Sequence, residues 1–296
     1  MASLAGLYPP IPTPFDAEER PALDKLEANL QYWVAQPLDG VVMPRSNSEA
    51  AFLTQAERIA VWHVCAPILR EAQKRFIAGT GAETTAETIE LTDIAANLGA
   101  VAALVLPPYF YKASLTHDAL VAHYRTVADA SPIPILLYNV PAFTGIDFAL
   151  GTFLALAEHP RIVGVKDSSS NVIKMVELLA ERPDFEVFAG TGSALLPFLS
   201  IGAVGGIMAL ANVAAVPLRG LMTLYQEGQR DEARILQQAL AGLNNAITAR
   251  FGVSGLKYAM DQSGIYGGPA RRPLLALNTT ARAEIDRLLT AVHSLA

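Results

Sequence analysis

Short apolar runs rich in Val, Ile and Leu recur along the chain, and each ends in glycine, proline or polar residues. Eight of them have the length of a β-strand and show little alternation of polar and apolar positions, which is typical of parallel strands covered on both faces. They lie at about residues 5–11, 40–45, 75–81, 102–108, 133–141, 162–168, 185–192 and 205–212.

Amphipathic stretches of helical length separate these runs. Two of them cover residues 54–72 and 85–99, and the second ends in Gly99, the residue type that favours a helix C-terminus. Eight alternating units predict an α/β fold, a closed (β/α)8 TIM barrel. The competing architecture is a doubly wound open sheet. It seldom has eight regular units, and it usually carries a glycine-rich loop after its first strand, unlike "PPIPTPF" here.

Beyond about residue 215 the strand pattern stops and long helical patterns follow. They cover residues 218–251, 254–274 and 279–296. A barrel needs only the first of these helices for closure. We therefore predict a barrel with the active site over residues 1–225, and a C-terminal helical extension over residues 226–296 packed on it.

Composition narrows the class of protein. The chain has 296 residues with a net charge of −6 and no basic patch, which argues against a nucleic-acid partner. A single cysteine, Cys65, excludes an intramolecular disulfide and fits a cytoplasmic location. The N-terminus has neither a signal-peptide pattern nor a membrane span. His63, His117 and His123 lack metal-ligand spacing, so no metal site is predicted.

The stretch "IVGVKDSSS" ends an apolar strand with Lys166. Barrel enzymes place their chemistry at the C-terminal ends of the strands, so this amine should point into the barrel mouth. Desolvation there lowers the pKa of a lysine from about 10.4, and the neutral amine can form a Schiff base with a keto group. Tyr138 ends the preceding strand and could move the proton. The alternative is that Lys166 is an ordinary salt-bridged residue at the barrel rim and that Tyr138 is a core residue without a catalytic role.

Several segments carry a family resemblance that covers nearly the whole chain. "LLYNVPAFTG" (136–145), "IVGVKDSS" (162–169) and "SNSEAAFLTQAER" (46–58) resemble motifs of the dihydrodipicolinate synthase/N-acetylneuraminate lyase family. The resemblance implies a barrel with a C-terminal helical extension, usually a homotetramer built as a dimer of dimers. It also implies no metal or organic cofactor. The partners would be small molecules, namely pyruvate and an aldehyde or keto acid, with no nucleic acid or membrane.

The same resemblance implies a role for each matching residue. Lys166 would form the imine with pyruvate or a derived keto acid, and Tyr138 would move the proton. Ser46 and Asn47 would hold the carboxylate of the keto acid. Two further substrate-binding positions are Gly190, where the backbone would approach closely, and Ile207, whose carbonyl would face the substrate.

Three departures from the family pattern bear on the substrate. Phe143 stands where the lysine-biosynthetic synthase has an arginine, and Phe cannot bind a carboxylate. Phe143 is then either a packing residue or an apolar wall for the aldehyde. Phe110 replaces a tyrosine that completes a proton relay in the synthase, so the relay runs through water or Tyr111, or it is absent. "AGTGS" lacks the acidic residues that follow this strand in sialic-acid lyases.

A nearer resemblance is to 4-hydroxy-2-oxoglutarate aldolases, which share the Ser-Asn pair and the "RFGxxGLKxxMDxxGxYGGPxRxPL" pattern. In those enzymes the serine matching Ser168 helps to position the substrate. Arg45 stands where the family commonly has glycine. We expect Arg45 to pair with Glu49 or a neighbouring loop, whereas an inward orientation would make it a carboxylate clamp.

These observations predict a Schiff-base, class I aldolase that cleaves or forms a 4-hydroxy-2-oxo acid such as 4-hydroxy-2-oxoglutarate. The alternative in the same family is a 4-hydroxy-tetrahydrodipicolinate synthase, which condenses pyruvate with aspartate semialdehyde. A keto-acid dehydratase or hydratase-aldolase is also open. The contrasting class is a non-catalytic binder of keto acids.

Overall fold

A computed structural model describes residues 3–295 of the chain. Eight parallel strands form one sheet in the order β1-β8-β7-β6-β5-β4-β3-β2. The strands are β1 (Gly6–Tyr8), β2 (Gly40–Met43), β3 (Arg75–Gly79), β4 (Ala102–Val105), β5 (Ile135–Asn139), β6 (Ile162–Asp167), β7 (Glu186–Ala189) and β8 (Gly205–Ile207).

The segments of β1 and β2, the two strands at the ends of this order, also pair with each other, which closes the sheet into a barrel. A parallel bridge joins Pro10 to Val42. Val42 donates its N–H to the Pro9 carbonyl at 3.0 Å, and Ile11 donates to the Val42 carbonyl at 3.1 Å. The fold is therefore the predicted (β/α)8 barrel, and the open-sheet alternative is wrong. The predicted strands ran too long at their C-terminal ends because those residues form the loops of the barrel mouth.

Apolar side chains fill two layers, one inside the barrel and one between the strands and the helices. Successive strand residues face opposite layers, since side chains alternate along a strand. In β5, for example, Leu136 and Tyr138 face the interior and Ile135 and Leu137 face the helices. The interior group is Leu4, Tyr8, Val42, Ile77, Ala102, Leu104, Leu136, Tyr138, Val140, Phe188 and Ile207.

Twelve α-helices occur in the described part of the chain. They are α1 (Leu23–Val34), α2 (Gln55–Glu71), α3 (Thr85–Asn97), α4 (His117–Ala130), α5 (Pro141–Thr144), α6 (Leu150–Ala157), α7 (Val172–Glu181), α8 (Leu195–Ser200), α9 (Ala215–Gln226), α10 (Arg230–Asn245), α11 (Gly252–Gln262) and α12 (Thr279–His293).

Local chemistry explains where the two predicted helices begin and end. Thr54 caps α2, because its hydroxyl accepts from the Glu57 N–H at 3.2 Å while the Glu57 carboxylate accepts from the Thr54 N–H at 2.8 Å. Helix α3 stops just before Gly99, whose φ of 96° lies in the region that glycine tolerates. Both helices lie within their predicted ranges. Cys65 is buried in α2, as expected.

The predicted helical stretch at 218–251 divides into α9 and α10 at Gly228, which has a φ of 81°. Helix α10 packs on the barrel loop after β7. Gln237 donates its side-chain amide to the Gly192 carbonyl at 2.8 Å, and Asn244 accepts from the Gly192 N–H at 3.1 Å. Gln226 is the last residue of α9. The predicted division into 1–225 and 226–296 stays a prediction.

Candidate active site

Two strand-end residues lie side by side inside the barrel. Tyr138 of β5 and Lys166 of β6 are direct partners in the parallel register. Tyr138 belongs to the interior apolar group, and both residues are only 2% exposed. The alternation of each strand therefore directs both side chains to the same interior space.

The two functional groups of this pair have distinct neighbours. The Lys166 Nζ lies 4.1 Å from the centroid of the Tyr138 ring. The Tyr138 hydroxyl lies 3.1 Å from the Ser46 hydroxyl. Among residues 3–295, no carboxylate forms a salt bridge with Lys166. The surface-paired alternative for Lys166 is therefore wrong in this structure.

Burial dominates the electrostatics of the pair. It lowers the pKa of Lys166, and although the Tyr138 hydroxyl opposes this effect, the charge of Arg45 adds to it. Burial alone would raise the pKa of Tyr138, but the Lys166 charge and the Ser46 hydrogen bond outweigh it, so that pKa lies below its ordinary value. A less basic amine next to a more acidic phenol is suited to nucleophilic attack followed by proton transfer.

A buried polar network lies on the other side of β6. Asp167 points away from Lys166 and accepts from the Asn139 side-chain amide at 2.7 Å and from the Ser169 hydroxyl at 2.8 Å. Asn139 donates also to Asp147, which pairs with Lys174. Burial raises the pKa of Asp167 above its usual range. The network holds β5 and β6 in register behind the lysine, and sequence reasoning did not identify it.

A cavity of about 580 Å³ opens at the barrel mouth. Three of the predicted site residues line it, namely Ser46, Tyr138 and Phe143, which is 67% exposed. Lys166 is not among its lining residues, whereas its neighbour in the register, Tyr138, is. Other residues on its walls include Arg45, Arg58, Glu83, Glu87, Tyr109, Val140 and Leu274.

The remaining predicted residues lie elsewhere around the mouth. Asn47 is half-buried in the short helical turn Ser46–Ser48 and does not line the cavity. Ile207 is fully buried in the interior group. A Cβ on Gly190 would lie 2.1 Å from the Ser168 hydroxyl and 2.5 Å from the Asp167 carbonyl, so glycine is needed there for the close approach of β6 and β7.

The expected pairing of Arg45 with Glu49 is wrong. Glu49 is buried and its carboxylate lies 2.6 Å from the Lys257 Nζ, which comes from α11. Arg45 instead turns into the barrel mouth, where it is 3% exposed and donates to the Leu104 carbonyl. Gly79 leaves room for it, because a Cβ there would lie 2.6 Å from the Arg45 Nε.

The aromatic loop after β4 does not complete the site within one chain. Phe110 is 74% exposed and Tyr111 is 75% exposed, and neither lines the cavity. Tyr109 lines it instead. A proton relay through Tyr111 of the same chain is therefore not supported. Sequence reasoning also missed Arg58 on α2; its position inside the "SNSEAAFLTQAER" segment was the available signal.

Within residues 3–295, no group of three or more His, Cys, Asp or Glu side chains is arranged to hold a metal ion. Over the same residues, no helix is both long enough and apolar enough to cross a membrane.

The fold and the mouth residues define a class, a (β/α)8 barrel protein with its polar site at the C-terminal ends of the strands. Residues 3–292 match the dihydrodipicolinate synthetase family. The chain belongs to this family and is an enzyme, a class I lyase of the kind that forms a lysine Schiff base.

Relatives of known sequence and structure agree with this assignment. An uncharacterized DapA-like lyase of Halobacterium salinarum is 34% identical over 285 residues, covering 96% of this chain and 92% of that protein. The 4-hydroxy-tetrahydrodipicolinate synthase of Methanococcoides burtonii is 34% identical, covering 96% and 95%. The solved structure of the synthase from Methylacidiphilum fumariolicum SolV has a TM-score of 0.92 at 30% identity, covering 99% and 97%.

Proposed function

We propose that this protein is a pyruvate-dependent aldolase that cleaves or forms a 4-hydroxy-2-oxo acid such as 4-hydroxy-2-oxoglutarate. One observation carries the proposal: the Lys166 amine is buried, no carboxylate of residues 3–295 forms a salt bridge with it, and its Nζ lies 4.1 Å from the centroid of the Tyr138 ring. A non-catalytic binder would gain nothing from this arrangement, because an unpaired buried ammonium destabilises the fold.

The proposed reaction begins with attack of the neutral Lys166 amine on the C2 carbonyl of the keto acid. Loss of water gives an iminium ion, which withdraws electrons from the adjacent bond. Tyr138 takes the proton of the C4 hydroxyl, and the C3–C4 bond breaks to release the aldehyde. The bonding pair forms an enamine, which gains a proton at C3. Hydrolysis then frees pyruvate and restores the amine.

Ser46 and Asn47 are proposed to hold the keto-acid carboxylate, with Ser168, Gly190 and Ile207 shaping the space around it. The position of Ser46 supports a place in the site, because its hydroxyl lies 3.1 Å from the Tyr138 hydroxyl. At that distance Ser46 can also pass a proton to or from the phenol. This carboxylate would position the C2 carbonyl before the covalent step, which lowers the entropic barrier.

The second candidate is a 4-hydroxy-tetrahydrodipicolinate synthase, and the names of the relatives favour it. Phe143 lies on the cavity wall and offers no donor for a carboxylate, which counts against aspartate semialdehyde and equally against the distal carboxylate of 4-hydroxy-2-oxoglutarate, so the comparison of substrates below decides between the two. We also propose a homotetramer in the cytoplasm. The exposed side chains of Phe110, Tyr111, Ile173 and Val176 support an assembly of several chains.

Borohydride reduction in the presence of pyruvate tests the chemistry. We expect a stable adduct on the peptide that contains Lys166, and no adduct in Lys166→Arg, which keeps a positive charge but cannot form the imine at neutral pH. Pyruvate release from 4-hydroxy-2-oxoglutarate, compared with condensation of pyruvate and aspartate semialdehyde, separates the two enzymes. An unmodified Lys166 would refute the mechanism.

A further inference from the structure

Strand β6 contains one residue more than β5 over the stretch in which the two strands pair. Ile135 pairs with Ile162 in the parallel register. The next residue of β5, Leu136, pairs with Gly164, so Val163 is left out of the register between the two strands. Beyond this point the register is constant to the C-terminal ends of both strands. An extra residue of this kind is a β-bulge, and a bulge changes the direction of the side chains that follow it.

The bulge reverses the faces that the later residues of β6 present. Ile162 belongs to the layer between the strands and the helices, and Val163 packs against the interior group. Side chains alternate along a regular strand, so this pattern would continue with Val165 inside the barrel and Lys166 outside it. The structure has the opposite arrangement. Val165 is in the layer next to the helices, and the Lys166 Nζ lies over the Tyr138 ring.

Glycine is required where the bulge meets β7. The pairing of β6 with β7 begins at Gly164, which lies opposite Glu186. A Cβ on Gly164 would lie 2.2 Å from the Glu186 carbonyl oxygen and 2.9 Å from the Glu186 Cβ. No side chain fits at such distances, so a larger residue would separate the two strands or remove the bulge.

One hydrogen bond between side chains joins the ends of β5 and β6 in the shifted register. Asn139 and Asp167 are direct partners, and both are fully buried. They lie one residue beyond the Tyr138–Lys166 pair, on the opposite face of the sheet. The Asn139 amide donates to the Asp167 carboxylate at 2.7 Å. A slip of one residue exchanges the two faces of a strand, so this bond forms only in the register that also pairs the tyrosine with the lysine.

Charge pairing does not explain the burial of Asp167. Among residues 3–295, no cationic side chain forms a salt bridge with its carboxylate. Its other contacts hold neighbouring backbone: the Ser169 hydroxyl donates to the carboxylate at 2.8 Å, and the Asp167 carbonyl accepts from the Gly190 N–H at 2.8 Å. A buried carboxylate without a cation costs stability, which is typical of residues kept for function.

We infer that the bulge and the Asn139–Asp167 bond together position the amine of Lys166 for the Schiff-base reaction. The bulge, which needs Gly164, turns the amine into the barrel, and the bond holds it beside Tyr138. Gly164 has no side chain, and the bonded pair faces away from the barrel interior, so these residues act on the reaction through the lysine. The inference rests on the proposed function, in which Lys166 forms the imine, and adds the residues that place it.

Two substitutions at Asp167 separate the bond from the charge. Asp167→Ala removes both the charge and the acceptor for Asn139. Asp167→Asn removes the charge but keeps a side-chain oxygen that can accept the same bond. For both variants, borohydride trapping over a range of pyruvate concentrations gives the maximal rate of imine formation at Lys166 and the pyruvate concentration at half of that rate.

We expect Asp167→Ala to lower the maximal rate roughly 10- to 100-fold, because a displaced amine slows the covalent step. The half-saturating pyruvate concentration should change by less than about threefold, since the groups proposed to hold the carboxylate are untouched. The maximal rate of Asp167→Asn should stay within about threefold of the native rate, because the bond between the strands is kept.

Asn139→Leu removes the same bond from the other strand, and Asn29→Leu is its matched control. Asn29 is a buried amide of α1 that donates to the Tyr266 carbonyl at 2.7 Å and accepts from the Tyr266 N–H at 2.9 Å. Both substitutions remove a buried, hydrogen-bonded amide, so both should lower the free energy of unfolding. Urea unfolding gives the folded fraction, and rates are compared per folded chain. Only Asn139→Leu should slow imine formation.

Two results would overturn the inference while leaving the proposed function standing. One is an equal maximal rate, fast or slow, in Asp167→Ala and Asp167→Asn. The other is a loss in Asn29→Leu as large as that in Asn139→Leu, which would show that the rate follows stability alone. If Asn139→Leu does not fold, the two Asp167 variants decide the question. A native chain that forms no adduct on Lys166 would instead refute the proposed function, and the inference would fall with it.

Discussion

At the scale of single residues, Lys166 is placed where an ammonium is least stable. It is 2% exposed, and no carboxylate of the described chain neutralises it. Burial of an uncompensated charge costs several kcal/mol, and groups in such places shift their pKa toward the neutral form. The fold therefore gives up stability at this position, as active sites commonly do when their chemistry requires a strained or desolvated group.

We predict that Lys166→Met stabilises the protein by on the order of 1–3 kcal/mol near neutral pH. The pKa of Lys166 is lowered in the folded chain, so at neutral pH the unfolded chain binds the proton more tightly. The penalty is full below the folded pKa and fades as pH rises toward the unfolded value of about 10.4. Urea unfolding at a series of pH values measures the difference.

Exposed Lys25 provides the control for this prediction. Lys25→Met makes the same chemical change at a position in solvent, so its effect on the free energy of unfolding should be small at every pH. A loss of stability in Lys166→Met would show that the ammonium is compensated in the folded state. The desolvated-amine account of the site would then be wrong.

Residue chemistry also explains which site residues could be predicted from the sequence. Lys166 and Tyr138 were identifiable because each ends a strand, and strand ends of a barrel meet at one face. The partner of Arg45 was not identifiable. Glu49 is its near neighbour in sequence, but the Glu49 carboxylate forms an ion pair with Lys257 of α11 instead. Contacts between distant segments depend on the fold, which a local pattern does not contain.

At the scale of elements, the loop after β2 is held to the C-terminal helices by Glu49. Its backbone has a φ of 57°, in the left-handed region. Its carboxylate lies 2.6 Å from the Lys257 Nζ and accepts from the Arg271 N–H at 2.7 Å. Ser46 and Arg45 belong to the same loop, so this buried ion pair positions the cavity wall relative to α11.

We predict that Glu49→Gln destabilises the protein by about 3–5 kcal/mol, because it leaves the Lys257 ammonium buried and unpaired. Lys257→Met should cost a similar amount for the same reason. The double variant should recover a large part of the loss, since both charges are then gone. Urea unfolding of all four chains completes the cycle.

The neighbouring pair between Glu57 and Arg271 serves as a comparison for this cycle. It is more exposed, with side chains 24% and 14% accessible, so Glu57→Gln should cost less than Glu49→Gln. Additive losses for Glu49→Gln and Lys257→Met would contradict the prediction. In that case the two side chains stabilise the loop independently.

The sequence predicted where the strands start more accurately than where they end. The strand predicted at 162–168 is observed at Ile162–Asp167, whereas the one predicted at 133–141 ends at Asn139. The first extra residue, Val140, is apolar and lines the cavity, so its residue type does not distinguish it from the strand. The long helical pattern at 218–251 hid a break at Gly228, since a single glycine is tolerated inside a helix at modest cost.

At the scale of the whole molecule, the C-terminal helices complete the walls of the barrel mouth. Gln237 and Asn244 of α10 bond both backbone groups of Gly192 in the loop after β7. Gln237 also accepts from the Leu196 N–H at 2.9 Å, at the start of α8. Lys257 of α11 neutralises Glu49 on the opposite side of the mouth. Two barrel loops thus depend on residues beyond 226.

We predict that a chain ending at Gln226 does not unfold cooperatively and forms no borohydride-trapped adduct with pyruvate. Truncation would leave the Glu49 carboxylate and the Gly192 backbone groups without their partners, and each buried unpaired group costs about 1–3 kcal/mol or more. Net stabilities of domains are only about 5–15 kcal/mol, so these losses and the exposed apolar faces exceed the reserve. Thermal and urea unfolding of the truncated chain measure this directly. A sigmoidal transition with full trapping at Lys166 would show instead that the barrel is autonomous and that the Glu49–Lys257 contact is not needed for the integrity of the mouth.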